Sequence, residues 1–104
     1  MLLSTQDHFD DHEIAQTCGL VRGNTIRARH IGKDILAALR NVVGGEVTEY
    51  TKMMAEAREQ ALDRMIASAE ALGADGIVGI RFTSATVMGG AAEILVYGTA
   101  VKLK

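Results

Sequence analysis

The chain has 104 residues, which fits a single domain, and its 48% hydrophobic content is mostly aliphatic, with two Phe, two Tyr and no Trp. The formal net charge of -2 argues against a basic surface for nucleic acid or an anionic membrane, and no apolar run is long enough to span a bilayer. One cysteine excludes an intrachain disulfide and suits a reducing compartment, so we expect a cytoplasmic protein.

The first part of the chain predicts two strands joined by a polar loop. Residues Leu2–Thr5 suit a short strand, and the acidic segment Gln6–Glu13 is typical of a loop. From Ile14 to Arg29 the residues follow a loose period of two, which predicts a long strand. Gly23-Asn24 interrupts this pattern, so we expect a bulge or a bend there.

Two helices are predicted in the middle of the chain. Apolar residues recur at helical spacing between Lys33 and Val43, and Gly44-Gly45 ends this short helix. The segment Glu46–Leu72 predicts a long amphipathic helix that ends at Gly73. Its apolar face is expected to carry Tyr50, Met54, Ala57, Ala61, Met65 and Leu72. Its opposite face is expected to carry Lys52, Glu56, Glu59, Asp63 and Glu70.

The last part of the chain predicts a β-hairpin. Gly89-Gly90 is a turn signal between the alternating segments Ile77–Met88 and Ala91–Leu103. We expect residues 77 to 87 to pair antiparallel with residues 92 to 102. On the first strand one face is expected to carry Val78, Ile80 and Phe82, and on the second Leu95, Tyr97, Val101 and Leu103. The element order predicts one α+β domain over residues 1–104, a small and mostly antiparallel sheet covered by one long and one short helix.

The predicted sheet has more apolar surface and edge than its helices can cover. The segment Ala91–Tyr97 contains one charge and no proline, so nothing in it would block pairing with another chain. Glycines would let other chains approach the strands closely, at positions 19, 23, 79 and 98. We therefore expect a homo-oligomer in which the edges pair with neighbouring copies.

Several short segments, spread over essentially the whole chain, carry a family resemblance. They are Leu20-Val21-Arg22-Gly23, Gly44-Gly45-Glu46 followed by Tyr50, Ala57-Arg58 with Arg64-Met65, Leu72-Gly73-Ala74-Asp75, Arg81-Phe82 and Tyr97-Gly98-Thr99-Ala100-Val101. In this order and spacing they resemble the YbjQ family, described as a "putative heavy-metal-binding" domain. The resemblance implies a compact α+β subunit of dodecin-like layout, assembled into a ring that is a pentamer. It implies a divalent or heavy metal ion as ligand and assigns no catalytic residues.

The candidate metal ligands lie near the N-terminus. His8 and His12 are four residues apart in an acidic segment, and imidazole with carboxylate suits zinc, nickel or copper. Cys18 is the one thiolate candidate, and a single sulfur would need further copies gathered around a symmetry axis. The alternative interpretations are a solvated acidic loop for the histidines and a small buried strand residue for Cys18.

Three arginines form a candidate anion or interface site. Arg58 and Arg64 flank the apolar stripe of the long helix, where an unpaired guanidinium would be costly. Glu46, at the start of the same helix, is a candidate partner. One interpretation is an ion-pair network at a subunit interface. The other is an anion pocket built from Arg58, Arg64 and Arg81.

These patterns favour a binding protein over an enzyme. The sequence contains no recognisable nucleophile–base pair, phosphate-binding loop or cofactor motif. We therefore expect a ring-forming homo-oligomeric binding module without catalysis, whose ligand is a metal ion or a small anion. Two alternatives stay open, a small hydrolase-type enzyme with a site between subunits and a purely structural assembly protein.

Overall fold

The computed structural model describes residues 1–28, 48–87 and 91–104. It contains four strands and one helix in these ranges: β1 (Leu2–Leu3), β2 (Ile14–Ala28), α1 (Thr48–Ala71), β3 (Gly76–Val87) and β4 (Ala91–Leu103). The predicted short helix over residues 33–43, Glu46 and the Gly89-Gly90 turn lie outside the described residues. The α+β class, the long helix and the three long strands are confirmed.

The strands form one mixed sheet in the order β1-β3-β4-β2. The predicted pairing of the last two strands is confirmed, because β3 and β4 are antiparallel from Gly76 opposite Val101 to Val87 opposite Ala91. The long strand β2 also pairs antiparallel with β4, which leaves β2 at one edge of the sheet. The short strand β1 runs parallel to β3 at the other edge, so the sheet is not wholly antiparallel.

The helix lies close against β2, and Gly23 is what permits this approach. A Cβ atom at position 23 would collide with the carbonyl oxygen of Ala61 and would lie 2.5 Å from the amide nitrogen of Met65. The predicted bulge or bend at Gly23-Asn24 is wrong, because both residues pair in unbroken register with β4. The irregularities of β2 lie earlier, between Ile14 and Gln16 and between Thr17 and Gly19. A glycine inside a strand here marks close backbone contact instead of a bend.

The predicted helix faces are confirmed for most of the side chains that the structure describes, and the side chain of Tyr50 lies outside these. Ala57, Ala61 and Met65 are buried, and Met54 packs partly buried against the same core. All five polar residues of the opposite face are exposed. Leu72 is wrong as a core residue, because it lies in the turn after the helix and is 48% exposed. Ala69, which sequence reasoning left out, is fully buried in its place.

A bulge in β3 changes which residues reach the core. Gly79 has a φ of +64°, and the register with β4 shifts between Val78 and Arg81. The core cluster therefore contains both Ile77 and Ile80, which strict alternation would place on opposite faces. The expected common face of Val78 and Ile80 is thus broken by one extra residue.

The strand β4 turns toward the helix the face opposite to the one that carries Leu95 and Tyr97. Ile94, Val96 and Ala100 belong to the core cluster, whereas Leu95 is half-buried and Tyr97 is exposed. The sheet consequently has an inner face under α1 and an outer face that the helix does not touch. Both faces matter for the candidate site.

Candidate functional site

The N-terminal acidic segment forms a loop in which His8 is held between two carboxylates. Its Nδ1 atom lies 2.7 Å from Oδ1 of Asp7, and its Nε2 atom lies 3.2 Å from Oδ1 of Asp10. The hydrogen bond to Asp7 raises the pKa of His8, and the same contact lowers the pKa of Asp7. When the imidazole is protonated both ring nitrogens donate to carboxylates, so a metal ion at His8 would have to displace a proton.

His12 lies in the same loop but in a different environment. Its ring packs edge-to-face on Phe9, with ring centroids 6.5 Å apart and an interplanar angle of 82°. Phe9 in turn lies on Gly76, where a Cβ atom would come within 2.8 Å of the Cζ atom of Phe9. The loop thus covers one end of the outer sheet face, since Gly76 and Val101 are directly paired and Val101 is buried.

Cys18 lies on β2, partly buried against the core cluster. Over residues 1–28, 48–87 and 91–104, no group of three or more His, Cys, Asp or Glu side chains could hold a metal ion. The structure therefore does not bring His8, His12 and Cys18 together within one chain. Their assignment as metal ligands stays a prediction that would need a second copy.

The three candidate arginines lie on three different surfaces. Arg64 donates from Nη1 to the backbone carbonyl of Asn24 at 2.6 Å, which ties α1 to the edge strand β2. Arg81 donates from Nη1 to the carbonyl of Thr5 at 2.6 Å and to its neighbour Ile80 at 2.8 Å. Arg58 faces the opposite flank of the helix, toward β3. The interface network and the anion pocket both stay predictions, and their fourth member, Glu46, lies outside the described residues.

A cleft between α1 and β3 is the site that sequence reasoning missed. It has a volume of about 220 Å³ and is lined by Met54, Arg58, Phe82, Thr83, Ser84 and Ile94. A second hollow of about 190 Å³ adjoins it through Phe82 and is lined by Leu3, Ser4, Thr5, Leu62, Ile80 and Phe82. Phe82 is 50% exposed although it is one of only two phenylalanines in the chain. The alternation of β3 placed Phe82 on one face with Val78 and Ile80, but it did not predict a cleft beside the helix.

The outer sheet face carries a second unanticipated surface. Arg22 of β2 and Arg81 of β3 both pair directly with Tyr97 of β4, so the three side chains form one row across the sheet. Leu20 is 71% exposed and Ile26 is 59% exposed on the same face of β2. From Leu20 to Thr25 the even positions are exposed and the odd positions are buried, but the residue types do not reveal this, since Leu20 is apolar and Thr25 is polar.

A wide depression on the polar side of α1 has less to offer a ligand. It is lined by Arg27, Lys52, Ala55, Glu56, Glu59, Gln60 and Asp63. Arg27 already donates to the side-chain oxygen of Gln60 at 3.1 Å. Charges of both signs alternate there, so no single ligand charge is favoured. The one helix in the described part of the chain is not apolar enough to cross a membrane.

Comparison with known proteins gives a consistent assignment. The model of a family described as "putative heavy-metal-binding", YbjQ, matches residues 1–104. A UPF0145 protein of Methanococcus vannielii is 61% identical over 104 residues, covering 100% of this chain and 99% of that protein. A UPF0145 protein of Archaeoglobus fulgidus is 53% identical over 104 residues, covering 100% of this chain and 96% of that protein.

A solved structure shares the fold. It is a protein of unknown function from Pediococcus pentosaceus that belongs to the DUF74 family, with a TM-score of 0.72 at 17% identity, and the match covers 100% of this chain and 98% of that one. At this level of identity the match supports the fold alone.

Proposed function

The chain belongs to the YbjQ family, described as "putative heavy-metal-binding", and on that premise we propose that it is the subunit of a homo-oligomeric binding module for a small ligand. The assembly we propose is the closed ring of five subunits, each of dodecin-like layout, that the family resemblance implies. The ligand is a small anion or a metal ion, and the compartment is the cytoplasm.

The outer sheet face, with its exposed apolar side chains among the described residues, is the observation that carries the proposed assembly. Leu20 and Ile26 lie mostly in solvent there, at 71% and 59% exposure, beside the exposed ring of Tyr97. Large apolar side chains gathered on one face typically mark a contact with another protein chain. A second copy of this chain would remove them from water.

The edge of the sheet supports the same proposal. The strand β2 has 15 residues, lies at an edge and contains no proline, so its outward backbone groups are available to pair with another strand. The radius of gyration of the chain is 17.2 Å, well above the about 13 Å of a compact domain of this length. An elongated subunit of this kind gains most from neighbours along its sides.

The ligand is better supported as an anion than as a metal ion. Among the described residues of one chain, no three His, Cys, Asp or Glu side chains are arranged to hold a metal ion, and Cys18 packs against the core. A metal site would have to be completed by equivalent residues of other copies. The cleft instead contains the positively charged side chain of Arg58 in a concave, mostly apolar setting within one chain. Such a side chain suits an anionic ligand.

Sedimentation and metal analysis test the two parts of this proposal. We expect the untagged protein to sediment as one closed oligomer over a wide range of micromolar concentrations. Elemental analysis of protein purified without chelators or metal-affinity resin gives the metal content per subunit. A monomer at high concentration would contradict the assembly. A stoichiometric heavy metal that survives dialysis would contradict the preference for an anion.

A further inference from the structure

A groove runs along one flank of α1 because the helix lies over β2 and β4 instead of β3. The helix side of the groove is formed by Met54, Arg58 and Leu62, which are spaced four residues apart and so share one flank. The strand side is formed by Phe82, with Ile80 below it. Ile80 is 5% exposed, whereas Phe82 is 50% exposed, so the groove opens at Phe82.

The two ends of this groove differ in chemistry. Arg58 and the hydroxyl residue Ser84 lie at one end. Leu3, Leu62 and Ile80 line the other, whose wall is almost wholly apolar. Phe82 lines both ends and connects them. No carboxylate is among the residues that line either half, so the guanidinium of Arg58 gives the described part of the groove a positive charge at one end only.

We infer that this groove binds a small amphiphilic monocarboxylate. Its carboxylate accepts hydrogen bonds from the Arg58 guanidinium, whose planar fork matches the two carboxylate oxygens. Its apolar body lies against the ring of Phe82 and extends toward Leu62 and Ile80. The inference rests on the proposed role of the chain as a binding module and adds the chemical class of the ligand and its orientation.

The chemistry of the groove separates this ligand class from the other small anions. One guanidinium balances one negative charge, whereas inorganic phosphate is bound best where several donors converge. The apolar body of the ligand would cover the ring of Phe82, which the fold leaves half exposed, and burial of this apolar area favours binding. The two hollows of about 220 and 190 Å³ together lie near the lower end of the roughly 300–1,000 Å³ range of ligand pockets. A ring or a short alkyl chain with one carboxylate is of the right size.

The test compares an acid with its neutral amide of the same shape. Phenylacetate and phenylacetamide are titrated separately into the full-length protein at constant ionic strength, and amide proton–nitrogen NMR spectra report the shifts. We expect phenylacetate to bind with a dissociation constant of about 1 mM, in line with the affinity that about ten ligand atoms supply. The largest shifts are expected at Phe82 and Ser84. Phenylacetamide and inorganic phosphate are expected to bind at least tenfold more weakly, since each lacks one half of the recognition.

A matched pair of variants assigns the charge to one side chain. Arg58→Gln is expected to weaken phenylacetate about tenfold or more and to leave phenylacetamide unchanged. Lys52→Gln removes one positive charge from the exposed polar face of the same helix, away from the groove, and is expected to leave both affinities unchanged. Phe82→Ser is expected to weaken both ligands, because the apolar body loses its platform. Each variant is also examined by sedimentation, so that changes of assembly are recognised.

Three results would overturn the inference. Equal affinities of phenylacetate and phenylacetamide would show that the carboxylate charge does not contribute to binding. An equal loss of phenylacetate binding in Lys52→Gln and Arg58→Gln would show that the effect is one of net charge. Dissociation of the oligomer in Arg58→Gln would identify the groove as a contact with a second copy, which would leave the proposed assembly standing. In the reverse case, a monomeric wild type that binds phenylacetate selectively would contradict the ring and support the groove.

Discussion

At the scale of single residues, the contacts of His8 decide what the acidic loop can do. The loop holds its backbone in place, since the Ser4 hydroxyl donates to the carbonyl of His8 at 3.1 Å and also accepts from the amide of Gln6 at 3.0 Å. Asp7 and Asp10 then meet the two ring nitrogens from opposite sides. A spacing of four between His8 and His12 predicted a shared metal, but spacing alone does not reveal that the neighbouring carboxylates take both donors.

This arrangement has a defined dependence on pH. The pKa of His8 is raised, chiefly by its hydrogen bond with Asp7, so its contribution to stability is complete below the ordinary pKa of histidine and is lost as pH rises through the raised value. The pKa of Asp7 is lowered by His8, so its contribution is present above the ordinary pKa of aspartate and is lost as pH falls through the lowered value. The contact therefore favours the folded state in the mildly acidic range between these limits.

Replacing Asp7 tests the contact directly. In Asp7→Asn we expect the pKa of His8 to fall toward the ordinary value for histidine, because the hydrogen bond that raises it most has lost its charge. The measurement is a pH titration of the His8 ring protons by NMR. Asp11→Asn is the control, since Asp11 makes no ion pair with His8 in the described structure. An unchanged His8 titration in Asp7→Asn would contradict the geometry.

At the scale of elements, the packing of α1 on β2 depends on a missing side chain. Gly23 lies directly under the backbone of α1, and Ala57, Ala61 and Ala69 keep the buried side of the helix narrow. Small residues on both elements allow a closer approach than the usual spacing of side chains. The helix backbone, which cannot rotate out of the way, fills the space that a Cβ at position 23 would need.

Adding one methyl group at this point should therefore be costly. In Gly23→Ala we expect a loss of about 1–3 kcal/mol or more in the free energy of unfolding, because overpacking forces the two backbones apart. Urea denaturation at fixed protein concentration measures it. Asn24→Ala is the matched control on the exposed face of the same strand, with an expected change within about 0.5 kcal/mol. Similar losses of unfolding free energy in the two variants would show that the backbone of α1 does not lie directly against Gly23.

The elements were largely predictable from the sequence, whereas the faces of the strands were only partly so. The buried face of the long helix could be predicted because the helix is continuous from Thr48 to Ala71, so each residue is rotated from the one before it by the same angle. Alternation in a strand has no such tolerance, since a single extra residue exchanges inside for outside. The bulge at Gly79 does this to β3, and the sequence shows a glycine there without showing its φ.

The candidate site was harder to predict for a related reason. Arg58 was identified as flanking the apolar stripe, but its neighbours depend on where the helix lies over the sheet. Phe82 was placed on one face of its strand with Val78 and Ile80, and that pattern does not reveal the displacement of α1 from β3 that leaves Phe82 half exposed. Contacts across the fold are set by packing, which no local pattern encodes.

At the scale of the whole molecule, the outer sheet face is the surface on which a single copy leaves large apolar side chains exposed to solvent. It is covered at one end by Phe9 and stays open around Leu20, Ile26 and Tyr97. Arg22 and Arg81 flank Tyr97 in the same row, so a partner surface has to satisfy charge as well as apolar area. We therefore place the proposed contact between copies on this face and on the adjoining edge of β2.

A charge placed on this face should weaken the assembly. In Leu20→Asp we expect the dissociation constant between subunits to rise at least tenfold, because burying this side chain contributes about 1.5–3 kcal/mol and a carboxylate reverses it. Light scattering during gel filtration measures the mass over a dilution series. Ser68→Asp, on the exposed surface of α1, adds the same charge as a control and should leave the mass unchanged. The same mass in both variants over the dilution series would show that the contact between subunits does not include Leu20.

Native mass spectrometry of the untagged protein tests the central claim most directly, because one spectrum reports both the number of subunits and any ligand retained with them. We predict a single dominant species of five copies of the 11.1 kDa chain that carries no stoichiometric heavy metal. Denaturing the same sample should release the free chain mass. A spectrum dominated by the monomer at micromolar concentration would contradict the claim that the protein is an oligomeric binding module.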